Sequence, residues 1–366
     1  MCPGPPPAPA LEPDVSASRS ALAADSATHR LPAFLTLILA VVLAACSSGA
    51  SVRPTTPPDA TGSLAPATTA TPALTASPAP AFPVTLTDDE GTKVELKTEP
   101  QKIVSLTPGE TEILFAIGAG DRVVGKVEDI ANYPPEAKDL PVVGTFNGVD
   151  VEKIVGAGTD LVIAGGSGGT PPDAISKLRS LGVPVLVVYA ADVSGLIKDV
   201  ALTGAATGQT AEAADLAATM KAGFDQIATS TAGVSKPRVF YETGDNPSIF
   251  GIADDSVYAR VIELAGGTPI TTGSATNWEM STEKLVAADP ELIILGDSAY
   301  GVTAEAVAKR AGWAGLTAVK AKAIKPIDDI IVTRPGPRLV EGLRLLVAAI
   351  HPELTLPSPA PAASGG

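Results

Sequence analysis

The stretch Asp150–Gly166, DVEKIVGAGTDLVIAGG, decides the fold, because it recurs 131 residues later as Ser281–Asp297, STEKLVAADPELIILGD. Seven of the 17 aligned positions are identical, among them Glu152/Glu283, Lys153/Lys284 and Gly165/Gly296. Each copy opens with a helix-capping side chain, continues through a short helix, breaks at Gly or Pro, and closes in an apolar strand ending in glycine. An aromatic precedes each copy at nearly matching distance, Phe146 before the first and Trp278 before the second. A helix–strand unit repeated in this way predicts two similar lobes.

Outward from the repeat, short apolar runs alternate with helix-length amphipathic stretches, the pattern of buried parallel strands joined by crossover helices. Strands are predicted at Lys102–Leu106, Arg122–Lys126, Leu161–Ala164, Val185–Val188, Arg238–Tyr241, Leu292–Leu295 and Ala323–Ile327. The fold class is therefore α/β. At Thr107-Pro108-Gly109-Glu110 a Thr at the N-cap, Pro at the first helical position and Glu two residues on start a helix directly after a strand. In open α/β sheets that end of the strands is where ligands sit. Between the lobes, Thr210–Thr231 is Ala-rich and Pro-free, with Leu216, Met220, Phe224 and Ile227 at helical spacing. One long helix between lobes predicts little relative motion.

The flanks differ from this core. Of 34 prolines, 14 precede residue 83 and three follow residue 354. The 13-residue apolar run Leu31–Leu43 follows Arg30 and leads into Ala44-Ala45-Cys46, a signal-peptide core too short for a comfortable membrane span. It resembles a bacterial lipobox, which implies lipidation of Cys46 and an anchor on the outer face of the cytoplasmic membrane. Pro/Ala/Thr-rich residues 47–82 cannot bury enough apolar surface to offset their ordering entropy and read as a tether. The expected organisation is a leader at 1–45, a tether at 46–82, lobes at 83–205 and 237–354, a linker helix at 206–236, and a frayed tail at 355–366.

Net charge is 26 − 40 = −14, without a basic cluster, which sets aside nucleic-acid binding through phosphate neutralisation. With only His29, His351, Cys2 and Cys46, no zinc site of three or four His/Cys ligands forms within one copy. No resident cofactor or metal site is expected.

Several segments in fixed order carry a family resemblance: Lys102–Leu114 (KIVSLTPGETEIL), Tyr133-Pro134-Pro135, Gly144-Thr145-Phe146-Asn147 leading into Val151-Glu152-Lys153-Ile154, and Arg334-Pro335-Gly336-Pro337-Arg338. Together they resemble the helical-backbone (class III) substrate-binding proteins of ABC importers for cobalamin, ferric siderophores and haem. The resemblance implies two Rossmann-like lobes bridged by a helix, a metal chelate held between them, and a chain that is monomeric when free. It also implies that Glu152 and Glu283, the pair marked by the internal repeat, dock into arginine pockets of a membrane permease driven by ATPase subunits. Acidic residues also suit any first helical turn through the helix dipole.

Phe146 and Trp278 are the first candidates for ligand contact, because rigid aromatic faces suit a flat macrocycle. Tyr189, Tyr241 and Arg334 follow, each at or beyond a strand end; Arg338 is read as structural. Ile130 and Gly165 stand where cobalamin binders of the family carry Tyr and Trp. A serine hydrolase is the alternative from another class: Gly165-Gly166-Ser167-Gly168-Gly169 fits G-x-S-x-G after a strand, with His351 downstream. Binders of free Zn²⁺ or Mn²⁺ need more histidines.

Overall fold

The computed structural model describes residues 82–145, 148–166 and 169–358. In the N-terminal lobe the elements run β1 (Val84–Thr87), β2 (Lys93–Leu96), β3 (Ile103–Ser105), α1 (Pro108–Ala116), β4 (Val123–Val127), β5 (Val142–Thr145) and β6 (Gly148–Val149). They continue through α2 (Val151–Gly156), β7 (Leu161–Gly165), α3 (Pro172–Ser180), β8 (Val185–Val188) and α4 (Val193–Thr207). The helix α5 (Thr210–Thr231) then leads to β9 (Arg238–Glu242), α6 (Val257–Leu264), β10 (Thr268–Pro269), α7 (Thr282–Ala288), β11 (Leu292–Leu295), α8 (Ala304–Ala308), α9 (Thr317–Lys320), β12 (Ile324–Pro326) and α10 (Leu339–Ile350). The seven predicted strands all occur, and α5 coincides with the Ala-rich helix read at Thr210–Thr231, inside the wider range 206–236 given to the linker.

The sheet orders show why the internal repeat matters. The N-terminal lobe has the order β6-β5-β4-β3-β7-β8 and the C-terminal lobe β10-β9-β11-β12. Every pairing in these two sheets is parallel except β5 with β6. In each lobe the chain order reverses beside the first strand of the parallel set, between β3 and β7 and between β9 and β11. The recurring segment supplies α2–β7 in one lobe and α7–β11 in the other, so both copies lie at a topological switch point, where α/β sheets place their ligands. An antiparallel hairpin, β1 with β2, opens the first lobe and had no counterpart in the sequence reading.

Each sheet buries both faces. One face of each packs on a shared helical layer that includes Ile113 and Leu114 of α1, Val200 of α4, Phe224 and Ile227 of α5, and Leu343 and Val347 of α10. The other faces form separate cores, around Ile154, Val162 and Leu178 in the first lobe and Phe240, Leu285 and Trp313 in the second.

The shared layer fixes α5 to both lobes. Gly208, at φ 78°, ends α4 in the left-handed conformation that glycine adopts without steric penalty, and turns the chain into α5. A Cβ on Gly204 would collide with that of Ala213, so α4 and α5 meet at backbone distance. On the opposite side, a Cβ on Gly223 would lie 2.5 Å from Val340 of α10.

The tail departs from expectation. Leu354 and Leu356 pack against the core, and the Pro357 carbonyl accepts from Arg344 Nη2 at 2.5 Å, so residues 355–358 dock on the second lobe rather than fray. Among the described residues no helix is long and apolar enough to cross a membrane.

Candidate ligand site at the lobe seam

The segment Arg334–Arg338, just ahead of α10, ties the lobes together. Arg338 forks onto Glu112 of α1, Nε to Oε2 at 3.0 Å and Nη2 to Oε1 at 2.5 Å, and its guanidinium stacks 3.7 Å from the centre of the Tyr133 ring. Arg334 Nη2 pairs with Asp129 Oδ1 at 2.6 Å, with only 13% of the Arg and 3% of the Asp side chain exposed. A Cβ on Gly109 would strike the Pro335 carbonyl, so the start of α1 lies against this segment. Arg338 is structural, as read; Arg334, read as a ligand donor, gives one side of its fork to Asp129. Its Nη1 is buried with no hydrogen-bond partner among the described residues.

The first-lobe side of the seam is acidic. Thr107 caps α1 by accepting from Glu110 N at 3.2 Å, but the Glu110 carboxylate does not close a capping box. It accepts from Thr203 Oγ1 of α4 at 3.0 Å, and burial pushes its pKa up to about 8. Asp199 is pushed up to about 9 by burial and by neighbouring Asp89. Asp89 in turn accepts from Tyr189 N at 2.6 Å. Glu110 and Asp199 therefore stay largely protonated at neutral pH, because burial and their mutual repulsion disfavour the charged forms.

The second-lobe side carries an aromatic pair. Tyr258 of α6 and Trp278 meet edge to face at 5.6 Å, and the Tyr258 hydroxyl donates to the Thr333 carbonyl at 3.0 Å. Burial raises the Tyr258 pKa to about 12, helped by Asp329 and by Tyr189 of the other lobe. Tyr189 is 58% exposed and lies over Gly166, where a Cβ would come within 2.9 Å of its ring.

Tyr241 does not take the position predicted for it: it is 2% exposed and donates to Asp329 Oδ1 at 2.6 Å, beneath the surface of the seam. Gly296 allows that packing, since a Cβ there would fall 2.7 Å from both the Tyr241 ring and Asp329. Gly165 is also confined, since a Cβ there would fall 2.8 Å from Thr107 Cγ2, so a larger side chain at that position would have to displace the Thr107 side chain that caps α1.

The C-terminal switch point holds a further acidic group. Asp297 is buried beside Glu242, its pKa raised to about 7 by burial and then by the Glu242 charge. Arg310 grips Glu242 through two bonds of 2.6 and 2.7 Å. Among the described residues no group of three His, Cys, Asp or Glu side chains could hold a metal ion.

The structure thus brings Tyr189, Trp278 and Arg334 to one seam, takes Tyr241 out of it, and adds Tyr258, Asp129, Glu110 and Asp199, which the sequence reading missed. Phe146, Ser167 and Cys46 lie outside the described residues. The hydrolase reading loses its base, because His351 is buried in the second lobe with Nε2 3.0 Å from the Gly266 carbonyl and Nδ1 3.2 Å from Glu353. Glu152 and Glu283 are exposed near the starts of α2 and α7, after N-caps Asp150 and Ser281.

Two parallel-sheet lobes on one shared helical layer, with an aromatic and acidic seam, define a helical-backbone binding protein. The chain belongs to the periplasmic binding protein family, which it matches over residues 103–330. It is 37% identical over 278 residues to the uncharacterised ABC transporter substrate-binding lipoprotein YvrC of Bacillus subtilis, covering 74% of this chain and 87% of that one. To the cobalamin-binding protein of Halobacterium salinarum it is 30% identical over 284 residues, 74% of each chain. The apo structure of the haem-binding protein RhuT from Roseiflexus sp. RS-1 superposes with a TM-score of 0.60 at 26% identity, over 69% of this chain and 98% of that one.

Proposed function

We propose that the protein is the lipid-anchored solute receptor of an ABC importer, and that its seam takes a neutral or cationic metal chelate, a corrinoid such as cobalamin before haem. One observation carries the ligand class. The Tyr258–Trp278 pair offers flat apolar faces, while Arg334, with Asp329 nearby, is already neutralised by Asp129. Haem propionates and tri-anionic ferric catecholates would meet an Arg334 already neutralised by Asp129, with the Asp329 carboxyl group beside it. The amide fringe of a corrinoid carries no charge and needs no counter-cation, since each amide both donates and accepts hydrogen bonds.

Tethering through Cys46 keeps the receptor on the outer face of the cytoplasmic membrane. Glu152 and Glu283 present one carboxylate per lobe to a two-fold permease, where charge-assisted pairs with arginine set orientation. No covalent step occurs in the receptor; the ATPase partners supply the work of transport.

Calorimetric titration with cyanocobalamin, ferrioxamine B, haemin and ferric enterobactin tests the ligand class. The neutral and cationic chelates bind, with haemin and ferric enterobactin at least about tenfold weaker, a difference of about 1.4 kcal/mol. Tighter binding of haemin than of cyanocobalamin overturns it.

A further inference from the structure

The two docking helices share more than their glutamates. Residues 151–157 and 282–288 follow the same order of buried, half-buried and exposed positions, residue by residue, around the anchors Ile154 and Leu285, which are wholly buried. Three residues after each glutamate the same side chain recurs, Val155 at 40% and Val286 at 42% exposure. Residues three apart lie on one helix face, so each lobe shows a carboxylate with an apolar neighbour beside it. Neither Glu152 nor Glu283 makes a salt bridge among the described residues. The adjacent Lys153 is drawn away instead, its Nζ donating to the Val142 carbonyl at 2.9 Å.

Nothing in the fold of either helix explains the valines. Neither valine is among the residues packed on the lobe cores, and a β-branched side chain at a part-exposed helical position loses rotamer freedom where Ala, Glu or Lys would stabilise the helix more.

We infer that Val155 and Val286 are a matched pair of apolar contacts for the importer's permease, each packing on an apolar rim beside a cationic pocket that receives Glu152 or Glu283. This rests on the docking proposed above and extends it from a pair of charges to a pair of two-part patches. Charge complementarity identifies the occupant: an unpaired carboxylate on each patch of a chain of net charge −14 selects a cationic partner, and duplication at a fixed spacing selects a two-fold one. The valines would exclude water from the carboxylate–arginine pairs, as the near-neutral surround of a hot spot does.

The test uses the full lipoprotein in membranes of the cells that make it, with the photo-crosslinker p-benzoylphenylalanine placed singly at Val155, Val286, Glu152, Glu283 and, as a control, at Leu181, which is 50% exposed on the first lobe. Adducts from positions 155 and 286 to a multi-span ABC permease subunit, identified by mass spectrometry, with none from 181, are the expected result. Adducts from 152 and 283 but not from 155 and 286 overturn the inference and leave glutamate docking standing. Adducts from none of the four remove docking and the inference together, and adducts from 181 as well show an unspecific surface. With the purified permease–ATPase complex, the Val155→Ser/Val286→Ser variant should bind about tenfold more weakly at unchanged affinity for cyanocobalamin; unchanged binding to the complex also overturns the inference.

Discussion

The rim of the molecule and its seam follow opposite rules. At the rim, α2 and α7 repeat one another in capping, burial and exposed side chains, although they lie in lobes whose sheets have six and four strands. At the seam the described residues of the two lobes differ: the first lobe contributes Tyr189, Glu110, Asp199 and Asp89, the second Tyr258, Trp278 and the two arginines of the Arg334–Arg338 segment. A two-fold partner requires matched surfaces, whereas an asymmetric cargo requires two different walls. The duplication is kept at the rim and lost among the described residues of the seam, the pattern that the docking and the cargo site proposed above would demand.

The largest expected effect breaks the symmetric half. Glu152→Lys/Glu283→Lys should abolish uptake of the bound chelate by whole cells while calorimetry shows near-normal affinity; a loss of affinity in this variant would place the two glutamates in the ligand site instead.

Next in size is the clasp between the lobes. Arg338→Ala leaves Glu112 buried and unpaired, and removal of one partner from a buried pair costs about 3 kcal/mol. For a core of this size the melting temperature should fall by roughly 5 °C or more. An unchanged melting temperature would show that the lobes do not depend on this pair.

Trp278→Ala sharpens the asymmetric half. Loss of the half-buried ring and of its edge-to-face partner Tyr258 should weaken chelate binding by about 1–3 kcal/mol in calorimetry. The fold should be retained by circular dichroism, and equal affinity would move the ligand elsewhere.

The smallest effect concerns pH. Glu110 and Asp199 have folded-state pKa values near 8 and 9, above their unfolded values, so the native state holds protons that the unfolded chain has released. Their contribution to stability is full below about pH 4 and is lost as pH rises towards 8–9. Thermal melts should therefore show declining stability from pH 6 to pH 9, and Asp199→Asn with Glu110→Gln should flatten that decline. A wild-type profile rising across this range would contradict the protonated cluster.

Local signals made the frame of the molecule legible in its sequence. Apolar runs of strand length, the Thr107-Pro108 helix start and the uninterrupted Ala-rich helix Thr210–Thr231 each involve neighbours in the chain, and each appears at or within two residues of its expected limits. The seam was legible only in part. Trp278 and Tyr189 could be chosen by position, but the partnership of Arg338 with Glu112 spans 226 residues and leaves no pattern along the chain. Glu110 illustrates the limit well: its spacing from Thr107 fits a capping box, yet burial under α4 gives its carboxylate to Thr203 instead. Tyr241 shows the reverse error, since a strand end by itself does not say which way the side chain points, and β9 turns this one towards the shared core.

The most direct measurement uses the chain's own two tryptophans. Trp313 is 1% exposed and packed in the second-lobe core against Phe240, so Trp313→Phe leaves Trp278 as the sole emitter, at the seam. Titrating that variant with cyanocobalamin should quench its emission saturably with a stoichiometry of one to one. Binding detected by calorimetry that leaves Trp278 emission unchanged would contradict a chelate held between the lobes.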